Sequence, residues 1–466
     1  MNIVVRTDAT SRASTAWTAL LSLGVIATVV FAGLPAHAAG APGGSVGTRA
    51  SGLASAVTTS TPKTPPGWKT PYAPDNLDPH SGTTFNHPFI SYKRYQIRTK
   101  VIRAINSTPT GGYIRVASWS FRSTTLAHYL WLAHRRGVHV EVIVSGRNDP
   151  SNSNYPALAR FLGTNTARAS WIHRCYASCR GRSGTMHSKI FLFSKVHNTP
   201  YVTMTGSANL TDMAAEGQWN QMDTVIDDQQ NYLDARDIFY QMRRDRPAAR
   251  QYVVKSEAAG QMYMYYYPQP GARPVDDQMY QALNNVQCTS PLAGYHGHTI
   301  IKIAMYAWYE NRGLWLARKV RSLHDQGCVI QIIFAVMASP ERAILSPIPM
   351  RQTVTLNAQH FATSYLHQKY VAINGAYKLD NGVLNPMAYY VYQSSFNFSD
   401  LGFTSDEQTQ RLQGRDNYTQ YADDFKLTWG ERMSKPPGYY PPIQGGRTGP
   451  EKIVLGQGAY QGFSND

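Results

Sequence analysis

Apolar runs and amphipathic stretches alternate along the chain in an order that occurs twice. The first series reads as helix, strand, helix and strand, over residues 92–107, 113–120, 124–137 and 138–146. The second series reads the same way, over residues 276–286, 299–308, 312–327 and 328–336. Strands and helices that alternate at this spacing predict βαβ units. The predicted fold class is therefore α/β, with two duplicated αβ lobes that have mainly parallel sheets.

Smaller features repeat with the two series. Gly137 and Gly327 follow matching helices, where a left-handed residue is needed to turn the chain into the next strand. An aromatic stretch closed by proline precedes each series, at residues 83–88 and 262–270. We therefore expect two lobes related by a pseudo-twofold axis.

A histidine and a lysine two positions apart stand before an apolar strand in each half. They are His187 and Lys189 in "GTMHSKIFLFS" and His367 and Lys369 in "SYLHQKYVAINGA". Alternate side chains of an extended segment share a face, so each pair points the same way. A turn with serine and asparagine follows each strand and supplies Ser207, Asn209, Ser395 and Asn397. Two copies of this spacing predict one site built from both halves.

This pattern resembles the phospholipase D superfamily, whose duplicated motif is H-x-K-x4-D followed by a G-S-x-N turn. The resemblance covers roughly residues 80–432. Three positions depart from the motif: Ser194 and Asn374 replace its aspartates, and Ser394 replaces the glycine of the second turn. These changes concern the orientation of the histidines and leave every reacting group in place.

The residue types suit displacement at a phosphodiester. One neutral imidazole can attack phosphorus, a second can protonate the leaving oxygen, and cationic and amide donors can hold the remaining oxygens. The resemblance implies His187 as nucleophile and His367 as general acid, with the opposite assignment also open. The predicted catalytic residues are His187, Lys189, Ser207, Asn209, His367, Lys369, Ser395 and Asn397.

No metal or other cofactor is expected, since no metal-binding signature is found. The nearest acids in sequence that could orient the histidines are Asp223, Asp406 and Glu407. The changed motif aspartates also leave open a non-catalytic binding protein.

The chain ends differ in composition from the two lobes. Residues 1–38 combine early arginines, an apolar stretch and the small-residue sequence "AHA", which predicts a secretory signal peptide, with a retained membrane anchor as the alternative. Residues 39–76 are rich in Gly, Ala, Ser, Thr and Pro and predict a flexible lead-in. The lobes are predicted at 77–252 and 253–432, and a tail at 433–466. The mature protein is expected to be secreted, soluble and monomeric.

Four cysteines suit an exported protein, because disulfides persist in oxidising compartments. We expect one bridge between Cys175 and Cys179 and another between Cys288 and Cys328. The alternative is a metal site, for which a C-x3-C spacing without a second ligand pair is weak support.

A formal net charge of +16 favours an anionic partner such as phosphate, although a solvated basic face explains the charge equally well. The leading hypothesis is a secreted phosphodiesterase that hydrolyses phospholipid head groups, or transfers them to another alcohol, through a phosphohistidine. The alternatives are an extracellular nuclease, favoured by the basic first half, and a non-catalytic binder of polyanions. Contact with a membrane surface is a further expectation, from the aromatic stretches at 262–267 and 387–392.

Overall fold

Two series of strands and helices follow one another along the described chain. The computed structural model describes residues 75–147, 154–256 and 262–439, together with Leu455 and Phe463. The first series contains, in chain order, β1 (Gly82–Asn86), α1 (Gln96–Ser107), β2 (Tyr113–Ser118), α2 (Thr124–Arg135), β3 (His139–Ser145), α3 (Asn154–Leu162), β4 (Trp171–Cys175), β5 (Lys189–Val196), β6 (Thr199–Gly206), α4 (Asp212–Glu216), β7 (Gln218–Val225) and α5 (Gln229–Arg243).

The second series repeats this order with additional short elements. It contains β8 (Val253–Ser256), β9 (Met262–Tyr266), a 3-10 turn (Pro274–Asp276), α6 (Gln278–Asn284), β10 (Val286–Gln287), β11 (Ile300–Trp308), α7 (Glu310–Asp325), β12 (Val329–Met337), α8 (Ser339–Leu345), β13 (Met350–Leu356), β14 (Ala362–Leu366), β15 (Lys369–Lys378), β16 (Leu384–Ser394), α9 (Leu401–Thr404), β17 (Gln408–Gln413), α10 (Arg415–Gly430) and β18 (Ser434–Lys435).

The main strands of the two series pair in the same spatial order. Hydrogen bonds link the first set in the order β1, β7, β6, β5, β2, β3 and β4. They link the second set in the order β9, β17, β16, β15, β11, β12 and β13. The two aromatic stretches form β1 and β9, which occupy matching places. The repeat in the sequence pattern is therefore accompanied by a repeat in the strand order, which is in keeping with two duplicated lobes.

The predicted α/β fold class is confirmed, with sheets that are mixed rather than mainly parallel. In these two sets the parallel pairs are β2 with β3, β3 with β4, β11 with β12 and β12 with β13. Crossover connections through helices bring these strands back in the same direction. The strands that follow are antiparallel, because β5 turns directly into β6 and β15 turns directly into β16.

Helix boundaries fall at residues whose chemistry suits those positions. The hydroxyl of Ser123 caps α2 by accepting a hydrogen bond from the amide of Leu126. Leu126 and Leu130 lie four apart on the buried face of this helix. Gly137 and Gly327 follow α2 and α7 with φ of +84° and +93°, a region that glycine enters without steric cost. Both predicted left-handed residues are confirmed.

Two disulfides connect the four cysteines as predicted. Cys175 is bonded to Cys179 within one loop, and Cys288 is bonded to Cys328 within the second half. The second bridge joins the segment after β10 to the start of β12. Both bridges therefore stay within one half of the chain.

The predicted signal peptide at 1–38, nearly all of the lead-in at 39–76 and most of the tail at 433–466 lie outside the described residues. Among the described residues, no helix is long and apolar enough to cross a membrane. The described residues belong to one compact unit. The lobe boundaries at 77–252 and 253–432 stay a prediction.

Candidate active site

Each H-x-K histidine is held by a strand from the other half of the chain. The amide of His187 donates to the carbonyl of Asp406 at 3.0 Å, just before β17. The amide of His367 donates to the carbonyl of Trp219 at 2.9 Å, in β7. Strand β14, which leads to His367, also pairs in parallel with β7. The two histidines therefore lie where the two sets of strands join.

Two buried glutamines reinforce this junction with matching contacts. The Gln408 side chain accepts from the Lys189 amide at 3.2 Å and donates to the carbonyls of Lys189 and Gly206. The Gln221 side chain accepts from the Lys369 amide at 3.3 Å and donates to the carbonyls of Lys369 and Ser394. Each glutamine satisfies backbone groups of the opposite half, so the same contact occurs twice with the halves exchanged.

The two imidazoles have different partners at Nδ1. His187 Nδ1 lies 2.7 Å from Oε1 of Glu407, whose carboxylate can only accept. His367 Nδ1 lies 2.8 Å from Oδ1 of Asn220. The amide nitrogen of Asn220 donates to the carbonyl of Ala214, which fixes Oδ1 as the acceptor. Both histidines therefore carry a proton on Nδ1, and in the neutral ring the lone pair lies on Nε2.

The motif serines stand behind these partners. Ser395 Oγ donates to Oε2 of Glu407 at 2.5 Å and accepts from the amide of Gln408. Ser207 Oγ donates to Oδ1 of Asn220 at 2.8 Å and accepts from the amide of Gln221. Both hydroxyls are thus engaged in orienting the residue that contacts a histidine.

The motif lysines are fully buried and folded back on their own segments. Lys189 Nζ donates to the carbonyl of His187 at 2.7 Å and lies 2.9 Å from its Nε2. Lys369 Nζ donates to the carbonyl of His367 at 2.8 Å and lies 4.7 Å from the ring centre of Tyr306. Two positive charges therefore accompany the two imidazoles.

The motif asparagines follow the turns at matching places. Asn209 Oδ1 accepts from the amide of Ser120 at 3.3 Å, and the next residue, Leu210, bridges to Phe121. Asn397 precedes Phe398, which bridges to Trp308 in the same way. Both asparagines are buried. In Asn209 the oxygen is therefore oriented by the backbone, and its amide nitrogen is a donor.

Aromatic rings line each histidine. Trp119 lies edge-on to His187 with ring centres 5.6 Å apart, and Tyr306 lies 4.9 Å from His367. Tyr365 lies 6.3 Å from His367 on the same side. His187 and His367 are 3% and 0% exposed, so both residues are buried.

Residues 101–243 match the family model described as "Cardiolipin synthase, PLD-like domain". This range includes His187, Lys189, Ser207 and Asn209, whose geometry the second half repeats. This part of the chain is therefore a PLD-like domain, in keeping with the resemblance of the whole chain to the phospholipase D superfamily. Members of this superfamily generally act on phosphodiesters. A sequence search of curated proteins finds no match to the chain.

Several solved structures are similar to parts of this chain. The phosphatidylserine synthase of Haemophilus influenzae Rd KW20 is 12% identical, with 76% of this chain and 87% of that chain covered and a TM-score of 0.50. The polyphosphate kinase of Porphyromonas gingivalis is 14% identical, with 75% and 50% covered and a TM-score of 0.46. The chain therefore spans half the length of that kinase. NucT from Helicobacter pylori is 18% identical, with 35% and 96% covered and a TM-score of 0.29.

Two of the three positions that depart from the superfamily motif, Ser194 and Asn374, have partners other than the histidines. Ser194 Oγ accepts a hydrogen bond from the amide of Tyr113 at 2.8 Å. Asn374 pairs with Ile300 in the sheet, and its side chain contacts Tyr418. Neither replacement therefore changes the partner of an imidazole.

Of the three acids considered from the sequence, the structure brings Glu407 to a histidine. Asp406 instead accepts from the backbone amides of Cys179 and Arg180, and burial raises its pKa to about 7. Asp223 accepts from Thr83 and Gln410, and burial raises its pKa to about 6.

The sequence interpretation missed Asn220, Gln221 and Gln408. A signal for them exists, because Asn220 and Glu407 follow Ser207 and Ser395 by 13 and 12 positions. Each is followed by glutamine. Alignment of the two turns would have found all three residues.

One group of potential metal ligands occurs among the described residues, formed by His173, Cys175 and Asp245. Cys175 is bonded to Cys179, so its sulfur is not available as a thiolate ligand. This group is therefore poorly suited to hold a metal ion.

Proposed function

We propose that the chain cleaves phosphodiesters, with His187 as the nucleophile and His367 as the general acid. The observation that carries this assignment is the difference between their partners: Glu407 is a carboxylate and Asn220 is a neutral amide. The family resemblance implies the same assignment but leaves the opposite one open, whereas this difference in charge distinguishes the two histidines.

The nucleophile is the histidine that gains charge. When Nε2 of His187 bonds to phosphorus, its lone pair is used and the ring, still protonated on Nδ1, becomes a cation. Glu407 stabilises this cation from 2.7 Å in a buried setting, where electrostatic interactions are stronger than in water. His367 would donate a proton from Nε2 to the departing oxygen and later take one from the attacking water. The side-chain amide of Asn220 orients the His367 ring without adding a charge.

The other motif residues supply donors for the phosphoryl oxygens. Lys189 and Lys369 bring positive charge, and the amide nitrogens of Asn209 and Asn397 offer further hydrogen bonds. Ser207 and Ser395 act as positioning residues, since their hydroxyls contact Asn220 and Glu407. These side chains contain a nucleophile, an acid and charge-stabilising donors, so the reaction needs no metal or cofactor.

For the substrate we propose the head-group ester of a phospholipid, cleaved outside the cell, with transfer to an alcohol as a second outcome. A chain that carries both halves of the site supports this choice. The phosphatidylserine synthase that resembles the chain in fold is in keeping with it. The two disulfides are compatible with an extracellular protein.

A nuclease is the second candidate, because a basic cleft of about 660 Å³ lies beside the segment that joins the halves. It is lined by Arg244, Arg246, Arg250 and Lys255. Lys255 pairs with Asp234, whereas the three arginines make no ion pair with a carboxylate among the described residues. Unpaired arginines favour contact with a phosphate backbone.

The test compares phosphatidylcholine vesicles, plasmid DNA and bis(p-nitrophenyl) phosphate, all in EDTA, with His187→Ala as the matched control. Choline release that requires His187 supports the phospholipid proposal. Nicking of DNA without choline release would favour the nuclease. Binding of vesicles or DNA without turnover of any of the three would identify a non-catalytic binder.

A further inference from the structure

A disulfide-bridged loop of the first half contacts the segment that orients His187. The loop begins at Cys175, the last residue of β4, and is closed by the bridge to Cys179. The backbone amides of Cys179 and Arg180 donate to the carboxylate of Asp406 at 2.5 Å and 3.1 Å. Asp406 is fully buried, so its carboxylate depends on these donors rather than on water. The loop therefore holds an acid of the second half by its side chain.

The backbone of Asp406 is held by the segment that contains His187. Its amide donates to the carbonyl of Thr185 at 2.9 Å, and its carbonyl accepts from the amide of His187 at 3.0 Å. The next residue, Glu407, places Oε1 at 2.7 Å from Nδ1 of His187. One peptide unit therefore separates the side chain that the loop holds from the carboxylate that contacts the imidazole.

The bridge determines where one of the two loop amides lies. It joins cysteines four positions apart and holds their Cα atoms at 5.3 Å, so the Cys179 amide is tied to the end of β4. Arg180 has an anchor of its own, because its buried guanidinium donates to the carbonyl of Tyr267 at 2.7 Å. Loss of the bridge should therefore release the Cys179 amide from Asp406 and leave the rest of the loop attached.

The matching position of the other half is occupied by an aromatic residue. The carbonyl of Trp219 accepts from the amide of His367 at 2.9 Å, as that of Asp406 accepts from the amide of His187. The side chain of Trp219 packs against Phe89, with ring centres 5.5 Å apart. The acid that is held by loop amides therefore stands on the His187 side of the site.

We propose that Asp406 is a positioning residue for His187 and that it acts through Glu407. The disulfide-bridged loop acts one step further back, because its amides hold Asp406. The inference rests on the proposed function, since it assigns these contacts to the histidine that attacks phosphorus. A displaced Asp406 shifts Glu407 from Nδ1 of the imidazole, and the ring then gains its charge with less stabilisation.

Removal of the bridge tests this series of contacts. Cys179→Ser should slow the burst of nitrophenolate from bis(p-nitrophenyl) phosphate about tenfold, since a misplacement of about 1 Å can cost about 100-fold. Cys328→Ser is the matched control: it breaks the bridge between positions 40 apart, which costs more stability, and should leave the burst unchanged. Cys175→Ser breaks the first bridge from its other end and replaces Cys179→Ser if that variant fails to fold.

Variants of Asp406 show whether the bridge acts through this acid. Asp406→Ala should slow the burst at least as much as Cys179→Ser does, because both loop amides lose their acceptor. In the Asp406→Ala background, Cys179→Ser should cause no further slowing, since the contact that it disturbs is already gone. Asp406→Asn keeps one oxygen that accepts from an amide and should recover part of the rate.

A proton NMR signal follows the contact without requiring turnover. The Nδ1 proton of His187 faces a carboxylate and should resonate well downfield of the backbone amides, where His187→Ala identifies it by its loss. The signal should move upfield in Cys179→Ser and in Asp406→Ala, because the hydrogen bond to Glu407 weakens. It should stay in place in Cys328→Ser.

The outcomes separate this inference from the proposed function. An unchanged burst in both variants of the first bridge overturns the inference, and so does equal slowing in Cys328→Ser, which indicates general loosening. Additive slowing in the double variant overturns the role of Asp406. If no variant and not even the unmodified chain gives a burst, the proposed function is contradicted. In that case a signal that moves only in the variants of the first bridge and of Asp406 supports the positioning, and an unmoved signal overturns it.

Discussion

Replacement of Glu407 by glutamine tests the assignment of the two histidines most directly. The change removes one negative charge from behind His187 and keeps the size of the side chain. The amide oxygen can still accept from Nδ1, where the carboxylate oxygen lies 2.7 Å away. The amide nitrogen then faces the hydroxyl of Ser395, which can rotate to accept instead of donating.

The expected effect follows from the charge that develops on the ring. Two unit charges about 4 Å apart interact by about 4 kcal/mol at an effective dielectric constant of about 20. The hydrogen bond that glutamine retains preserves part of this stabilisation of the charged ring. We therefore expect the free-energy barrier to formation of the phosphoenzyme to rise by about 2–4 kcal/mol. Formation of the phosphoenzyme should therefore slow by about 30- to 900-fold.

Rapid-quench measurement of the first turnover with bis(p-nitrophenyl) phosphate gives this rate as a burst of nitrophenolate. The matched variant is Asn220→Asp, which adds a charge behind His367 and also loses the contact with the carbonyl of Ala214. It should affect the burst less than Glu407→Gln does. The combination of both changes moves the charge to His367 and should shift covalent labelling toward that residue. A burst in Glu407→Gln within about threefold of the unmodified chain would refute the charge argument.

Three further predictions concern the second step, the disulfides and the buried acid. His367→Ala should let an acid-labile phosphoenzyme accumulate when the leaving group is already good; no accumulation by mass spectrometry counts against His367 as the acid. Cys328→Ser should lower the free energy of unfolding in urea by about 4 kcal/mol and Cys179→Ser by about 2, since the bridged residues lie 40 and 4 positions apart. Burial raises the pKa of Asp406 to about 7, so protonation of this carboxyl stabilises the fold, and the full contribution is present below about pH 4. This contribution to the free energy of unfolding is lost as the pH rises through 7, by about 1.4 kcal/mol for each pH unit. Asp406→Asn should make the free energy of unfolding depend less on pH between about pH 5 and 7. An unchanged pH dependence in this range contradicts the assignment to Asp406.

The features predicted correctly from the sequence are those carried by local patterns. Apolar periodicity places β2, α2 and β3, and their repeat places β11, α7 and β12. The short spacing of Cys175 and Cys179 indicates a bridge within one loop, which leaves Cys288 and Cys328 to join each other. The direction of the later strands is harder to predict from the sequence, because antiparallel pairing depends on the short turns after β5 and β15.

The groups that hold the histidines depend on contacts between distant parts of the chain. Glu407 lies 220 residues from His187, and Asn220 lies 147 residues from His367. No local pattern indicates which acid reaches which ring, and Asp406, adjacent to Glu407, turns to backbone amides instead. Proximity in sequence therefore could not select among the three acids.

The difference between Glu407 behind His187 and Asn220 behind His367 is an asymmetry that the fusion of two halves in one chain permits. Gln221 and Gln408 make the same contacts, and Ser207 and Ser395 do too, so most of the shell is repeated. In a twofold dimer of identical chains, any residue behind one histidine also stands behind the other. A nucleophile and an acid would then share one environment. Within one chain, position 220 can be an amide while its counterpart stays a carboxylate, and the two imidazoles can be suited separately to carrying charge and to transferring a proton.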